Sequence, residues 1–276
     1  MIKRNINLWP KIQFLSILTF AASCAVNPFT GRNQLALVDS GTVNQLATTE
    51  YSKIKQTSKV LSPATNLQAA MVTRIGSKLA AAITSYYKNK GDLNGMKWEY
   101  MLIDENIVNA WCMPGGKIAV YTGLLPVTQN ENALAVVMGH EIAHAIAEHG
   151  KERMSQGLAQ QFGGMALSVA ISSKPAETQQ LFNTAFGLGS EVGVMLPFSR
   201  KNEMEADKLG LTYTALAGYD PREAVPLWRR MEAAGSGGQK PPEFLSTHPS
   251  ESSRIEELEK MMPDAMVIYN RVKGKK

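Results

Sequence analysis

Residues 136–150 read VVMGHEIAHAIAEHG and carry three of the chain's four histidines in an otherwise apolar run. His140 and His144 stand four apart, so on a helix their imidazoles lie one turn apart on the same face and converge on one point. This is the HExxH arrangement, a two-donor site for zinc. Glu141 projects beside that point and not onto it, where a carboxylate can take a proton from a water held there. A zinc ion lowers the pKa of such a water to about 7 and polarises a carbonyl oxygen, and hydrolysis of a peptide bond needs both effects. His149 falls off the ligand face, near the expected helix C-terminus, where an imidazole faces exposed carbonyls. It is given no catalytic role.

A catalytic zinc site has three protein ligands, and SRKNEMEADKLG (199–210) offers acids on a second predicted helix. Glu203 and Asp207 are again four apart on one face, while Glu205 points elsewhere. Glu203 is the candidate third ligand. Asp207 is placed to accept the free N–H of a ligand histidine and so fix its tautomer and ring angle. Without the HExxH these acids would read as a solvated helix face.

HEIAH, followed by SRKNEMEAD and then STHPSESSR, resembles metallopeptidase family forty-eight, the gluzincins typified by the CAAX prenyl protease, HtpX, BepA and LoiP. The resemblance covers roughly residues 40–262. It implies a zincin-like (minigluzincin) domain that binds one Zn2+ through His140, His144 and Glu203, with Glu141 as the catalytic carboxylate and Asp207 behind a ligand. A lone loop histidine is ordinarily just surface. By resemblance to BepA-like members, however, His248 of the His-Pro loop is a fourth ligand that blocks the water position or, on moving, a donor to the oxyanion. Arg254 is then an anchor for that loop or a substrate contact. NAWCMPGGKIAVYTGLL (109–125) resembles the family's edge-strand region, whose free backbone groups pair with an extended peptide. On that reading a proline at Ala119 weakens substrate binding.

Around these residues the chain reads as an α+β domain, predominantly helical, with a small sheet ahead of the histidine helix. A polar helix is expected from Ser40, as N-cap, to about Lys59. A second places Leu67, Met71, Ile75, Leu79, Ile83 and Tyr86 in one apolar stripe and stops near Gly91. MKWEYMLID and GGKIAVYTGLL have strand character. From Glu131 on, helices are expected over 131–149, 151–172, 176–190, 200–217, 221–233 and 251–261. Two glycine- and alanine-rich stretches, 154–173 and 184–199, read as core helices, or as a lid over the cleft or a surface that touches membrane-protein substrates.

The chain has 276 residues, 44% of them hydrophobic, and a formal charge of +5. Much of that charge sits in Lys3, Arg4 and Lys11 at one end and Arg271, Lys273, Lys275 and Lys276 at the other, so the body has no electrostatic footprint for nucleic acid. Residues 1–24 combine a basic start, a short apolar run and small residues before Cys24, which reads as an export signal. FAASC resembles a lipobox, with Ala21 where leucine is usual, and makes Cys24 the candidate for lipidation. Residues 25–39 are then a tether and 40–276 the zinc metallopeptidase domain. Cys112 is left as a lone thiol, a small buried hydrophobe. The expectation is a zinc endopeptidase held by its N-terminal lipid on the periplasmic side of a bacterial membrane, the outer one by the Ala25 that follows Cys24. Its substrates would be misfolded or stalled envelope proteins. The rival is a chaperone-like assembly factor for outer-membrane proteins with its proteolysis latent or suppressed by His248.

Overall fold

The computed structural model describes residues 24–89, 93, 96–162, 175–186, 188, 198–236, 243–248 and 252–274. The expected leader, residues 163–173, much of 184–199 and Pro249-Ser250 therefore lie outside the described residues.

The first described segment is not a tether. Strands β1 (Cys24–Val26) and β2 (Asn33–Leu35) pair antiparallel, with Cys24 opposite Leu35. Between them the buried Asn27 donates its side-chain amide to Ile146 O at 2.9 Å, and the Phe29 ring meets Tyr87 edge-on at 5.1 Å. Helix α1 (Ser40–Thr57) follows, capped by Asp39 and not by Ser40: the Asp39 carboxylate accepts from Thr42 N–H at 2.9 Å.

Helix α2 (Leu67–Tyr87) buries Ile75, Leu79 and Ile83 of its expected stripe, but Leu67 is 90% exposed and Tyr86 40% exposed. Each step of four residues overshoots a full turn by about 40°, which carries Leu67 off the core face, whereas Tyr86, three residues after Ile83, falls about 60° short of a full turn. Val72 and Tyr87 continue the buried face in their place.

One sheet has the order β3-β4-β6-β5, from β3 (Val60–Leu61), β4 (Glu99–Ile103), β5 (Ala110–Met113) and β6 (Lys117–Tyr121). β4 and β6 run parallel, whereas β5 and β6 form a hairpin that turns at Pro114-Gly115-Gly116 with φ of 79° and 80° at the two glycines. Ala119 pairs with Met101 on one side and Trp111 on the other, so it is an interior residue and the edge belongs to β5. A proline at Ala119 would break the sheet itself, not a substrate contact.

After the short helix α3 (Leu125–Thr128) comes α4 (Glu131–Ile146), capped by Asn130, whose side chain accepts from Ala133 N–H at 2.9 Å. Every residue of α4 from Ala133 to Ile146 is buried, so this is the central rod of the domain, packed on all sides. Helices α5 (His149–Phe162), α6 (Pro175–Ala185), α7 (Arg200–Leu216), α8 (Ala224–Ser236), α9 (Glu243–Thr247) and α10 (Ser252–Lys273) complete the described fold. α10 runs well past the expected end at 261 and includes Pro263. No helix among the described residues is long and apolar enough to cross a membrane.

Candidate metal centre

The site is made where α4 and α7 cross, and two glycines let them cross closely. A Cβ on Gly139 would lie 3.0 Å from Gly210 O, and one on Gly210 would lie 2.9 Å from His140 N. With backbone against backbone, His140 and His144 of α4 face Glu203 of α7. The intended pairing of two i,i+4 faces is thus achieved by bare glycine at the contact.

Four donor atoms converge, one each from His140, His144, Glu203 and His248, all within 4.8 Å of one another and all buried. His140 Nε2 lies 3.0 Å from His144 Nε2 and 3.5 Å from Glu203 Oε2, and His144 Nε2 lies 3.4 Å from Glu203 Oε1. His248 Nδ1 lies 3.3 Å from His140 Nε2 and 2.9 Å from Glu203 Oε1. Tetrahedral zinc with N and O ligands sets its donor atoms roughly 3.3 Å apart, so the side chains present fit that ion. Beside them Glu141 Oε1 is buried with no hydrogen-bond partner among the described residues, and His248 Nε2 stands 3.4 Å from it. A buried carboxylate oxygen left in this state fits one that receives a proton from a bound water.

The surroundings are charged on purpose. Asp207 Oδ1 lies 2.9 Å from His140 Nδ1, the placement expected of it. Arg254 is buried and grips both acids of α7: its Nε and Nη2 donate to Asp207 at 2.9 and 2.8 Å, and its Nη1 pairs with Glu203 at 2.8 Å. The guanidinium also lies over the Trp228 ring at 3.5 Å, so the described partners of Arg254 are inside the site and not along a substrate path. Burial works to raise Glu203, but the charges of His248, Arg254 and His144 outweigh it and hold it well below the usual carboxylate range. Burial likewise opposes ionisation of Asp207, and Arg254 and His140 overcome it. Burial pulls the His140 imidazole down, yet Asp207 and Glu203 push it up to about 9 in the metal-free site. Glu141 goes the other way: burial raises it, with His248 and His140 only partly compensating.

His248 reaches the centre from the end of α9, and that short helix is tied to the sheet. Phe244 N–H donates to Val108 O at 3.1 Å, Asn109 Nδ2 donates to Glu243 Oε1 at 3.1 Å, and the Phe244 ring stacks on His248 at 4.5 Å. Phe198 N–H donates to Thr247 O at 3.1 Å, and its ring lies 4.1 Å from that of His144.

The edge strand β5 runs beside Glu141. Residues 109–112 share a small cleft with Glu141, His144, Thr247 and His248. Tyr121 N–H donates to Asn109 O at 3.2 Å, which sets the alternation of the ladder. Trp111 and Met113 therefore bond to β6, while Ala110 and Cys112 turn their backbone groups to the side of β5 that no other strand pairs among the described residues. Ala110 N–H is taken by the Asn109 side chain at 2.8 Å, so the edge presents the Ala110 carbonyl and the backbone of Cys112, the one N–H donor left of these two. The Cys112 side chain itself is buried, as a small apolar group.

Sequence reasoning missed His149. The helix ends at Ile146, Glu148 adopts a φ of 55°, and the chain turns back, so His149 opens α5 with its ring 4.9 Å from that of His144. The carbonyls at the end of α4 are taken by Asn27 and Arg32 instead. Continuing an ideal helix past residue 146 put His149 on the wrong side. No residue type announced the turn: the positive φ falls on Glu148, a non-glycine, and Gly150 lies inside α5.

A model of peptidase family M48 matches residues 66–262. The chain belongs to peptidase family M48. Among its relatives are the mitochondrial metalloendopeptidase OMA1 of Schizosaccharomyces pombe, 38% identical over 175 residues (63% of this chain and 50% of the relative), and human mitochondrial metalloendopeptidase OMA1, 30% identical over 286 residues (97% and 53%). The beta-barrel assembly-enhancing protease of Escherichia coli is 27% identical over 161 residues (57% and 33%). The chain spans about half the length of the OMA1 relatives in these two species.

These M48 relatives overturn the expected placement on the periplasmic side of a bacterial outer membrane, since those matched at higher identity are mitochondrial by name. A basic leader with a short apolar run and no acidic residue suits more than one transport machinery, so residues 1–24 carried less information than the expectation asked of them.

Proposed function

We propose that the chain is a zinc metalloendopeptidase that cleaves unfolded or misassembled polypeptides. The observation that carries this is the set of four converging donors, with a buried Glu141 oxygen beside it that has no hydrogen-bond partner among the described residues. Membership of a peptidase family and relatives named as metalloendopeptidases support it.

In this reading His140, His144 and Glu203 hold the zinc. The ion supplies a water of lowered pKa and polarisation of the scissile carbonyl. An extended substrate pairs with Cys112 on the β5 edge, which binds main chain without reading side chains and suits clients that have lost their fold. Glu141 accepts the proton of the attacking water and returns it to the leaving amine. Asp207, fixed by Arg254, orients His140. His248 closes the resting enzyme: its Nδ1 takes the fourth donor position and its Nε2 faces Glu141. A role in protein quality control follows from a site built for unfolded main chain. The E. coli relative named for enhancing beta-barrel assembly supports that finer assignment.

The test is zinc content together with degradation of an unfolded protein by wild type and by Glu141→Gln. Stoichiometric zinc in both and degradation by wild type alone is the expected result. Equal degradation by both would refute the enzyme. Client binding without cleavage by either would make the chain a holding factor instead.

A further inference from the structure

Each histidine of α4 has a polar chain behind it, and the two chains differ. Behind His140 stands Asp207, with Asp207 Oδ1 2.8 Å from Arg254 Nη2. Behind His144 stands another histidine: His149 Nδ1 lies 2.9 Å from His144 Nδ1, and His149 Nε2 lies 2.8 Å from Glu205 Oε2. Glu205 Oε2 in turn lies 2.8 Å from Arg32 Nε, and Arg32 Nη1 lies 2.8 Å from Glu152 Oε2. We propose that His149, Glu205 and Arg32 are positioning residues of the zinc site, a relay that ties His144 to the β1–β2 hairpin. The proposal rests on the zinc reading of the site.

The proton positions follow from the partners. Glu205 can only accept, so His149 carries its proton on Nε2 and donates it there. The His149 Nδ1 lone pair is then free to accept from His144 Nδ1–H. That leaves the lone pair of His144 on Nε2, the atom that faces the other donors. The relay therefore selects the metal-binding tautomer of His144 and sets its ring angle, the task Asp207 performs for His140. His149 is fully buried, which shields its link to His144 from water, while Glu205 and Arg32 are partly exposed.

The outer end of the relay is the hairpin. Arg32 Nη2 donates to Gln34 Oε1 at 2.9 Å, Gln34 Nε2 donates to Glu148 Oε2 at 2.6 Å, and Asn27 caps Ile146 O. These contacts clasp the turn between α4 and α5 from which His149 projects. A segment with no ligand of its own thus reaches the metal through three side chains. Glu205, read from the sequence as pointing elsewhere, is the middle member.

The experiment uses the full chain and measures zinc dissociation with a chromophoric chelator, alongside the visible spectrum of the cobalt(II) form. His149→Leu should speed zinc loss about 10–100-fold and shift the cobalt spectrum. Arg32→Gln, at the half-exposed end, should speed it less, and the double variant should be no worse than His149→Leu alone. His149→Gln, which can accept and donate at once, should restore much of the retention. If His149→Leu fails to fold, faster loss and a shifted spectrum in Arg32→Gln carry the proposal. Unchanged dissociation and spectrum in Arg32→Gln and His149→Leu, or effects that simply add, would overturn the relay. Absence of stoichiometric zinc in the wild type would overturn the zinc reading and the relay with it.

Discussion

His248 Nδ1 lies 2.9 Å from Glu203 Oε1, so the histidine supplied by a short helix after the main body of the fold sits inside the donor set of α4 and α7. In the proposed zinc site His248 would hold the position that a substrate water needs. His248→Ala should keep zinc, because three protein ligands remain, and should degrade an unfolded protein faster than wild type. A plug seated in about nine molecules of ten would withhold roughly tenfold in rate, and its removal would return that factor. Lost activity with zinc retained would instead make His248 a donor to the oxyanion.

Asp207 touches no expected metal position, yet its loss should weaken the metal. It holds His140 and balances the charge of the buried Arg254. Asp207→Asn should cost about 10–100-fold in zinc affinity by chelator competition, with Glu141 untouched. A variant with wild-type affinity would show that His140 needs no orientation.

How much of this was legible is decided by local periodicity. His140, His144, Glu203 and Asp207 follow from i,i+4 spacing within single helices, and the structure brings all four together. What the spacing could not show is anything that depends on a helix ending. The turn at Glu148 brings His149 back to His144, and the two- and three-residue strands β1, β2 and β3 are too short for an alternating pattern to declare itself. The edge position of β5 likewise depends on β6 inserting parallel to β4, a long-range pairing that no short window contains.

Zinc uptake should release a proton near neutral pH. Asp207 and Glu203 keep the metal-free His140 protonated up to about 9, and a zinc ligand must be neutral. With its pKa raised, the imidazolium contributes stability to the metal-free protein below the unfolded value near 6.5, and that contribution is lost as pH rises through about 9. Zinc affinity runs the opposite way: it should gain about tenfold per pH unit up to that point for this one proton. Calorimetric titration at pH 7.5 in two buffers of different ionisation enthalpy reads the number released. Heats independent of the buffer would show that His140 is already neutral.

The edge strand can be tested at one backbone N–H. Cys112 turns its N–H and C=O to the side of β5 that no other strand pairs among the described residues, beside the cleft that holds Glu141, while its neighbours Trp111 and Met113 bond to β6. Cys112→Pro removes that donor, and an edge position tolerates proline where an interior one does not. Cys112→Ala serves as the control, since it loses the buried sulfur and keeps the N–H. Loss of one hydrogen bond worth about 0.5–1.5 kcal/mol should raise KM roughly 2- to 12-fold in the proline variant relative to the alanine variant, with kcat little changed. Both should melt within a few degrees of each other. Equal KM values would place the substrate's main chain somewhere other than β5.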